Sequence, residues 1–481
     1  MCSVVDLEQY KPKAFFHWFQ KICQIPHPSF HEEKLCDFLV KFALERGFPY
    51  VRDEMNNLLI RVPATEGYEA VPPYLLQSHM DMVAVAEEGV EFDFLREPIR
   101  LQVVGNELRA VGTTLGADDG GGIAAMLSFA DDPSFRHPEL ELLFTVQEET
   151  GMNGIRQFDF SQIKSRRMVN FDSGRAHNFC VSSAGATSLR VRQQLEMEPA
   201  EGAALRVVIR DGLGGHAGLD IHKNRACAVN AMGELLHTLS KQVPVRLAML
   251  KSGGKAIFSR CDAAFVVPAE KKAEARRILE RHVSVLKKRY ALTDPDLLCE
   301  IEPLETCAAA LSEEDSRRVI GLLFLLPTGI RKSDAEDPRM ILGSGSVMEA
   351  TLTDGALSYE YAVRAVENDV RDQYTEMCTE LLRLLSFDWK IGKSYGGWPM
   401  RHDSEIVKRF DRTHEEVFGY PAGHQFVHGG IEVGYIVTAI PDMDAIAINL
   451  PMANAHTTKE LIYIDQVQDF WTLFQTVLAQ K

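Results

Sequence analysis

The stretch YLLQSHMDMV, residues 74–83, decides how the rest of the chain is read. Tyr74, Leu75 and Leu76 form a short apolar run of the kind that fills a buried strand, and residues two apart on a strand face the same way. His79 and Asp81 therefore project together from the strand's C-terminal end. In open α/β sheets that edge carries the ligand site. An imidazole and a carboxylate there are either a metal donor with the group that orients it, or a polar strand end.

The neighbouring runs end in the same way. ELELLFTVQ at 139–147 leads into Glu148 and Glu149, and RMVNFD at 167–172 ends on Asp172. GTTLGADDGGGIAAML at 112–127 is a glycine-rich turn entering an apolar helix, with Asp118 and Asp119 at its start. It lacks the lysine of a phosphate loop, and two carboxylates would repel an anion at a helix N-terminus. Each of these acids alone reads as a helix cap or a solvated strand end. Together, His79, Asp118, Glu149 and Asp172 set nitrogen and oxygen donors along one edge of one sheet. Such donors without thiolates suit zinc, manganese or cobalt, and a carboxylate shared by two ions allows the paired-metal geometry of hydrolases. PMANAHTTKE adds His456 as a fifth donor.

Composition narrows the alternatives. The 481 residues imply two or three domains, and 46% hydrophobic with 25% charged residues is ordinary for a globular protein. A formal charge of −16 argues against nucleic acid or an anionic membrane as partner. Nine cysteines, from Cys2 to Cys378, include no Cys-x-x-Cys, which suggests neither a disulfide framework nor a zinc-thiolate site and points to the cytosol. MCSVVDLEQYKPKAFFHWFQ has acidic residues and two lysines where a signal peptide needs an apolar core, and no 18-residue apolar stretch is present.

Residues 1–185 read as α/β, with helices at 13–24 and after Ser29 and strands near 57–62 and 73–78. From about 186 the pattern becomes two-residue alternation, SLRVRQQLEM and ALRVVIRDG, with long helices expected at 222–242 and 269–290 and a surface loop at 333–339. From 387 the α/β texture resumes. The reading is one domain made of both chain ends, 1–185 and 387–481, interrupted by an inserted α+β domain at 186–386.

The order His-x-Asp, Gly-Ala-Asp-Asp-Gly, Glu-Glu-Thr-Gly, Asp-Ser and a late histidine resembles the co-catalytic metallopeptidases that include carboxypeptidase G, succinyl-diaminopimelate desuccinylase and the carnosinases. KICQIPHPSFHEEKL, GTTLGADDG, EETGMNG, GLGGHAGLDIH and HGGIEVG are similar to the cytosolic aminoacyl-histidine (beta-alanyl-histidine) dipeptidases, and the likeness runs from about residue 14 to 475. The resemblance implies a mixed-sheet α/β catalytic domain with an inserted α+β lid and dimerisation domain. It implies two divalent ions, zinc first with cobalt or manganese as alternatives. His79 and Asp172 would hold one ion, Glu149 and His456 the other, and Asp118 would bridge them. Asp81 would orient His79 through a hydrogen bond, and Glu148 would be the general base. A cis peptide between Asp118 and Asp119 is expected, and His216 of the insert would supply an oxyanion-stabilising donor. His428 and Glu432 would line the substrate cleft and Arg364 would clasp a C-terminal carboxylate.

The implied activity is hydrolysis of unblocked dipeptides, Xaa-His among them, by a bridging hydroxide in a cytosolic homodimer whose partner is a small peptide substrate. An amidohydrolase acting on N-acyl amino acids or small amides is the alternative enzyme. A non-catalytic metal-binding scaffold is the other reading, and it has no use for Glu148. Three stretches depart from the family pattern. Asp119 replaces an asparagine, Thr457 and Thr458 replace Ser-Pro, and KAIFSRCDAAF puts Phe258 and Ser259 where a polar substrate contact belongs. An apolar face at Phe258 predicts weak cleavage of beta-alanyl-histidine.

Overall fold

A computed structural model describes residues 5–254 and 256–481 of the chain, and Cys2 lies outside them. The apolar run forms the strand Tyr74–His79, buried along its whole length inside an eight-stranded sheet. It runs parallel to Leu140–Thr145 on one side and to Arg167–Asn170 on the other. Asp444–Ala447 extends the parallel order, and Leu58–Val62 pairs antiparallel with Leu140–Thr145. Parallel neighbours end at the same edge, so the segments after His79, Thr145 and Asn170 emerge together.

The helix Ala117–Asp131 packs on this sheet. A Cβ at Gly122 would fall 2.6 Å from Phe171 Cβ and 2.8 Å from Ser78 Oγ, so only glycine allows the helix so close. The C-terminal helix Val467–Leu478 closes the same core, with Phe470, Trp471 and Phe474 against Phe129. Each such ring, fully buried, contributes on the order of 1.5–3 kcal/mol. A small four-stranded sheet holds Met452–Ala453 antiparallel to Leu461–Tyr463, and the loop between those strands carries His456. The sequence reading had not anticipated this sheet.

The chain divides into two compact units. The first comprises the residues up to Ser182, Trp398–Phe426 and Ile431–Lys481; the second comprises Ser183–Gly397 with Val427–Gly430. The return to the first unit falls at 398 rather than 387 because Lys390–Tyr395 pairs antiparallel with Gly185–Gln194. In the second unit a nine-stranded sheet carries four helices among the described residues, and one face of its strands, including Val191, Val207, Ala263 and Tyr361, meets them in one core. The helix expected from 222 begins at Ala228, because Asn224 adopts a left-handed conformation that ends the preceding short turn. Residues 334–340 connect the paired strands Gly329–Ser333 and Ile341–Thr353, at the place expected for a loop. Among the described residues no helix is long and apolar enough to cross a membrane, and none of the eight described cysteines forms a disulfide.

Candidate metal centre

At the C-terminal edge of the first unit's sheet, His79 Nε2 lies 3.3 Å from Asp118 Oδ1 and 3.9 Å from Asp172 Oδ1. His456 Nε2 lies 3.2 Å from the other Asp118 oxygen and 2.8 Å from Glu149 Oε1. Two groups of three donors result, His79–Asp118–Asp172 and Asp118–Glu149–His456, each with its atoms within 4.8 Å of one another. They share Asp118, which turns one oxygen to each. A third group joins His79 to Glu148 and Glu149. The five donors expected from the sequence therefore meet. Their chemistry, imidazole and carboxylate without thiolate, fits a pair of divalent ions of the zinc, cobalt or manganese type.

The electrostatics reflect crowding of acids. Burial alone would lower the His79 imidazole, but Asp118, Asp81 and Asp172 hold it well above its usual range. Burial would likewise raise Asp118, yet His456 and His79 hold that carboxyl well below the usual range. Hydrogen bonds to Asp118 and Glu149 push His456 up to about 10. Burial, reinforced by Glu432, Glu149 and Asp118, pushes Glu148 well above the carboxylate range. Asp172 shifts the same way, through burial together with Glu148 and Asp118.

The supporting residues explain how the edge is held. The Asp118–Asp119 peptide is cis, as the resemblance implies. Glu460, buried and not anticipated as part of the site, accepts from the backbone N–H groups of Leu115 (2.8 Å), Gly116 (3.0 Å) and Asp118 (3.0 Å) and so shapes the turn carrying Asp118. Asp119 is fully buried, with Ser78 Oγ donating to it at 2.5 Å, and burial raises its carboxyl to about 8. His456 itself sits at φ +63° and Asn454 at +58°, a left-handed path sparsely used by non-glycine residues and often found at functional sites. The Thr457 hydroxyl donates to the Asn454 carbonyl at 2.8 Å, which steadies that turn.

Asp81 differs from its expected role. The His79 Nδ1 proton goes to the Asp81 backbone carbonyl at 2.9 Å, while the carboxylate lies 3.6 Å away. That carboxylate instead accepts from the backbone N–H of Glu148 (2.9 Å) and of Glu149 (3.2 Å) and from Ser29 Oγ (2.8 Å). Asp81 thus anchors the Glu-Glu turn, and the residue orients His79 through its main chain.

Glu432 also departs from expectation. It is fully buried in the first unit, where one carboxylate oxygen, Oε2, accepts from Gln77 Nε2 (2.5 Å) and Thr145 Oγ1 (2.6 Å). His428 belongs to the second unit and is 7% exposed. Its Nδ1–H donates to the Ile341 carbonyl at 3.0 Å and its Nε2 pairs with Ser344 Oγ at 2.7 Å. Both ring nitrogens are thereby committed inside that unit, and burial with nearby Arg364 lowers the ring to about 4. Arg364 donates to Tyr395 Oη at 3.0 Å, and its Nε is buried without a partner. Phe258 is 5% exposed in the core of the second unit, so the apolar substrate contact inferred there is corrected: the ring packs internally.

His216 lies on an exposed turn of the second unit. Its Nδ1 accepts from the backbone N–H of Gly218 (3.2 Å) and Leu219 (3.1 Å), while Asp220 Oδ2 accepts from its own N–H at 2.8 Å. A ring whose Nδ1 accepts carries its proton on Nε2.

Acids and imidazoles gathered at the carboxyl edge of the sheet's parallel strands are a donor set of the kind metallopeptidases use. The profile of peptidase family M20/M25/M40 matches residues 75–480, and the chain belongs to that family. The chain is similar to the cytosol non-specific dipeptidase of Escherichia coli (strain K12), at 29% identity over 479 residues and 99% of both chains. Its fold matches the aminoacylhistidine dipeptidase from Vibrio alginolyticus with a TM-score of 0.91, at 28% identity and 98% coverage of both chains. The aminopeptidase PepT from Bacillus cereus shares the fold more distantly, with a TM-score of 0.56, 15% identity and 98% coverage of both chains.

Proposed function

We propose that this chain is a two-metal dipeptidase that hydrolyses the peptide bond of unblocked dipeptides, Xaa-His among them. The observation that carries the reading is the pair of three-donor groups joined through Asp118. His79 and Asp172 would hold one ion, Glu149 and His456 the other, and Asp118 would serve both. Two divalent ions there would supply Lewis acidity and lower the pKa of water. Glu148, whose backbone is fixed by Asp81, takes a proton from the attacking water and hands it to the leaving amine. Burial raises that carboxyl, which favours its holding the proton between the two transfers. His216, protonated on Nε2 by the arrangement of its turn, is the oxyanion donor. Arg364 and His428 are the proposed substrate-side residues of the second unit.

The relatives support the substrate class. The Escherichia coli protein is named a cytosol non-specific dipeptidase and the Vibrio alginolyticus protein an aminoacylhistidine dipeptidase. The cytosol and a homodimeric state belong to the same proposal. A panel of free dipeptides, including beta-alanyl-histidine and alanyl-leucine, set against N-acyl amino acids with added zinc, cobalt or manganese, tests it. Cleavage of the dipeptides is expected. Cleavage of acylated amino acids alone would move the activity to amidohydrolysis, and no turnover with bound metal would leave a scaffold.

A further inference from the structure

Beneath the metal edge, four fully buried polar side chains form a directional chain across three parallel strands. Glu432 Oε2 accepts from Gln77 Nε2 at 2.5 Å and from Thr145 Oγ1 at 2.6 Å. Gln77 Oε1 accepts from Asn170 Nδ2 at 2.6 Å. Asn170 Oδ1 accepts from the backbone N–H of Asp172 at 3.1 Å. Gln77 lies two residues before His79, Asn170 two before Asp172, and Thr145 three before Glu148. All four side chains are 0% exposed.

The order of donors follows from chemistry. A carboxylate only accepts, so Gln77 must present its amino group to Glu432 and its carbonyl to Asn170. Asn170 must then offer its amino group to Gln77 and its carbonyl to Asp172. Without an acceptor at 432, Gln77 Nε2 keeps only Thr145 Oγ1 at 3.2 Å, a hydroxyl that can equally donate, so either amide could turn over, and Asn170 would then set an N–H against the N–H of Asp172. A donor facing a donor leaves both without an acceptor and would displace the residue.

We propose that Glu432 is a positioning residue: through Gln77 and Asn170 it fixes the direction of the hydrogen bond that holds Asp172 at the metal edge. The inference rests on the ligand set proposed above. Outer hydrogen-bond partners of metal donors commonly set metal affinity by factors of about 10–100.

Titration of the metal-free full chain with Zn2+ or Co2+ by calorimetry tests this without reference to turnover. Glu432→Leu should weaken one of two ions by about 10–100-fold and leave the other within about threefold. Glu432→Gln, which still offers a carbonyl to Gln77 and Thr145, should restore wild-type affinity. If Glu432→Leu does not fold, Gln77→Met interrupts the same chain at similar volume and should weaken the same ion. Unchanged affinity for both ions in a folded Glu432→Leu or Gln77→Met chain would overturn the proposal, as would a Glu432→Gln defect as large as that of Glu432→Leu. Asp172→Ala is the separating control, and it should lose the affected ion outright. If it binds both ions normally, the ligand set is wrong and the positioning role falls with it.

Discussion

Acids buried in the second unit and acids crowded at the edge of the first unit's sheet are treated oppositely. In the second unit, Asp262 lies between Arg206 (2.8 Å) and Arg260 (3.0 Å). There too, the buried Asp294 accepts from the backbone N–H of Leu213 (2.9 Å) and Ala226 (2.7 Å). At the edge of the first unit's sheet, Asp118, Glu149 and Asp172 find their ion-pair partners among the described residues only in His79 and His456. At an effective dielectric near 20, two carboxylates about 5 Å apart repel by roughly 3 kcal/mol. Charge satisfied in the second unit and left crowded at that one edge supports placing the proposed function at the edge.

The sharpest way to break that comparison is to remove the charge at the shared position. Asp118→Ala should lose activity and at least one ion, whereas Glu148→Ala should lose about 10²–10⁴-fold in rate with ion content unchanged. Elemental analysis beside the rate assay separates them. A Glu148→Ala chain that purifies without metal would make Glu148 a ligand, in line with its proximity to His79 and Glu149.

In the second unit, the turn carrying His216 should matter to the chemical step alone. His216→Ala is expected to lower kcat by about 100–1000-fold with a smaller change in KM. Unchanged kcat would remove the donor role. Mixing Glu148→Ala with His216→Ala chains should restore partial activity if the histidine serves a partner subunit, and no recovery after confirmed subunit exchange would place its action within one chain.

His428 tests how completely the second unit satisfies its polar groups. Its ring is lowered from 6.5 to about 4 by burial and by Arg364, so between those values the unfolded chain binds the extra proton. The stabilisation is fully present above pH 6.5 and is lost as pH falls toward 4, by up to about 3 kcal/mol. Denaturant unfolding at pH 7.5 and 5 should show a shallower acid loss in His428→Gln. An equal loss in both chains would mean that His428 is not held neutral.

The smallest expected effect is the effect of metal on the fold. An ion at 100 times its dissociation constant should add about 2.7 kcal/mol to the metal-free chain. Hydrogen exchange should slow chiefly at 74–81 and 145–152, with little change at 203–267. Equal slowing in both units would erase the proposed contrast between them.

The strand ends were legible because an apolar run shows where a buried strand stops, and a parallel order brings such ends to one edge. Tyr74–His79, Leu140–Thr145 and Arg167–Asn170 therefore announced His79, the Glu-Glu turn and Asp172 before any coordinates. The insertion was legible from the change of period, although Lys390–Tyr395 carries no mark in its sequence that it pairs with Gly185–Gln194.

What the sequence by itself determined is the set of donor types and the edge they share, since both follow from local pattern. What only the tertiary structure decided is which polar groups are already spent. Glu432 was expected to line the substrate cleft, yet it reaches Gln77, 355 residues earlier. Glu460 reads as a polar loop residue until its carboxylate meets the backbone of Leu115, 345 residues away. Phe258 looked like a substrate contact until the core of the second unit enclosed it. Burial and hydrogen-bond partnership are properties of pairs brought together by folding, and no window of sequence contains both members.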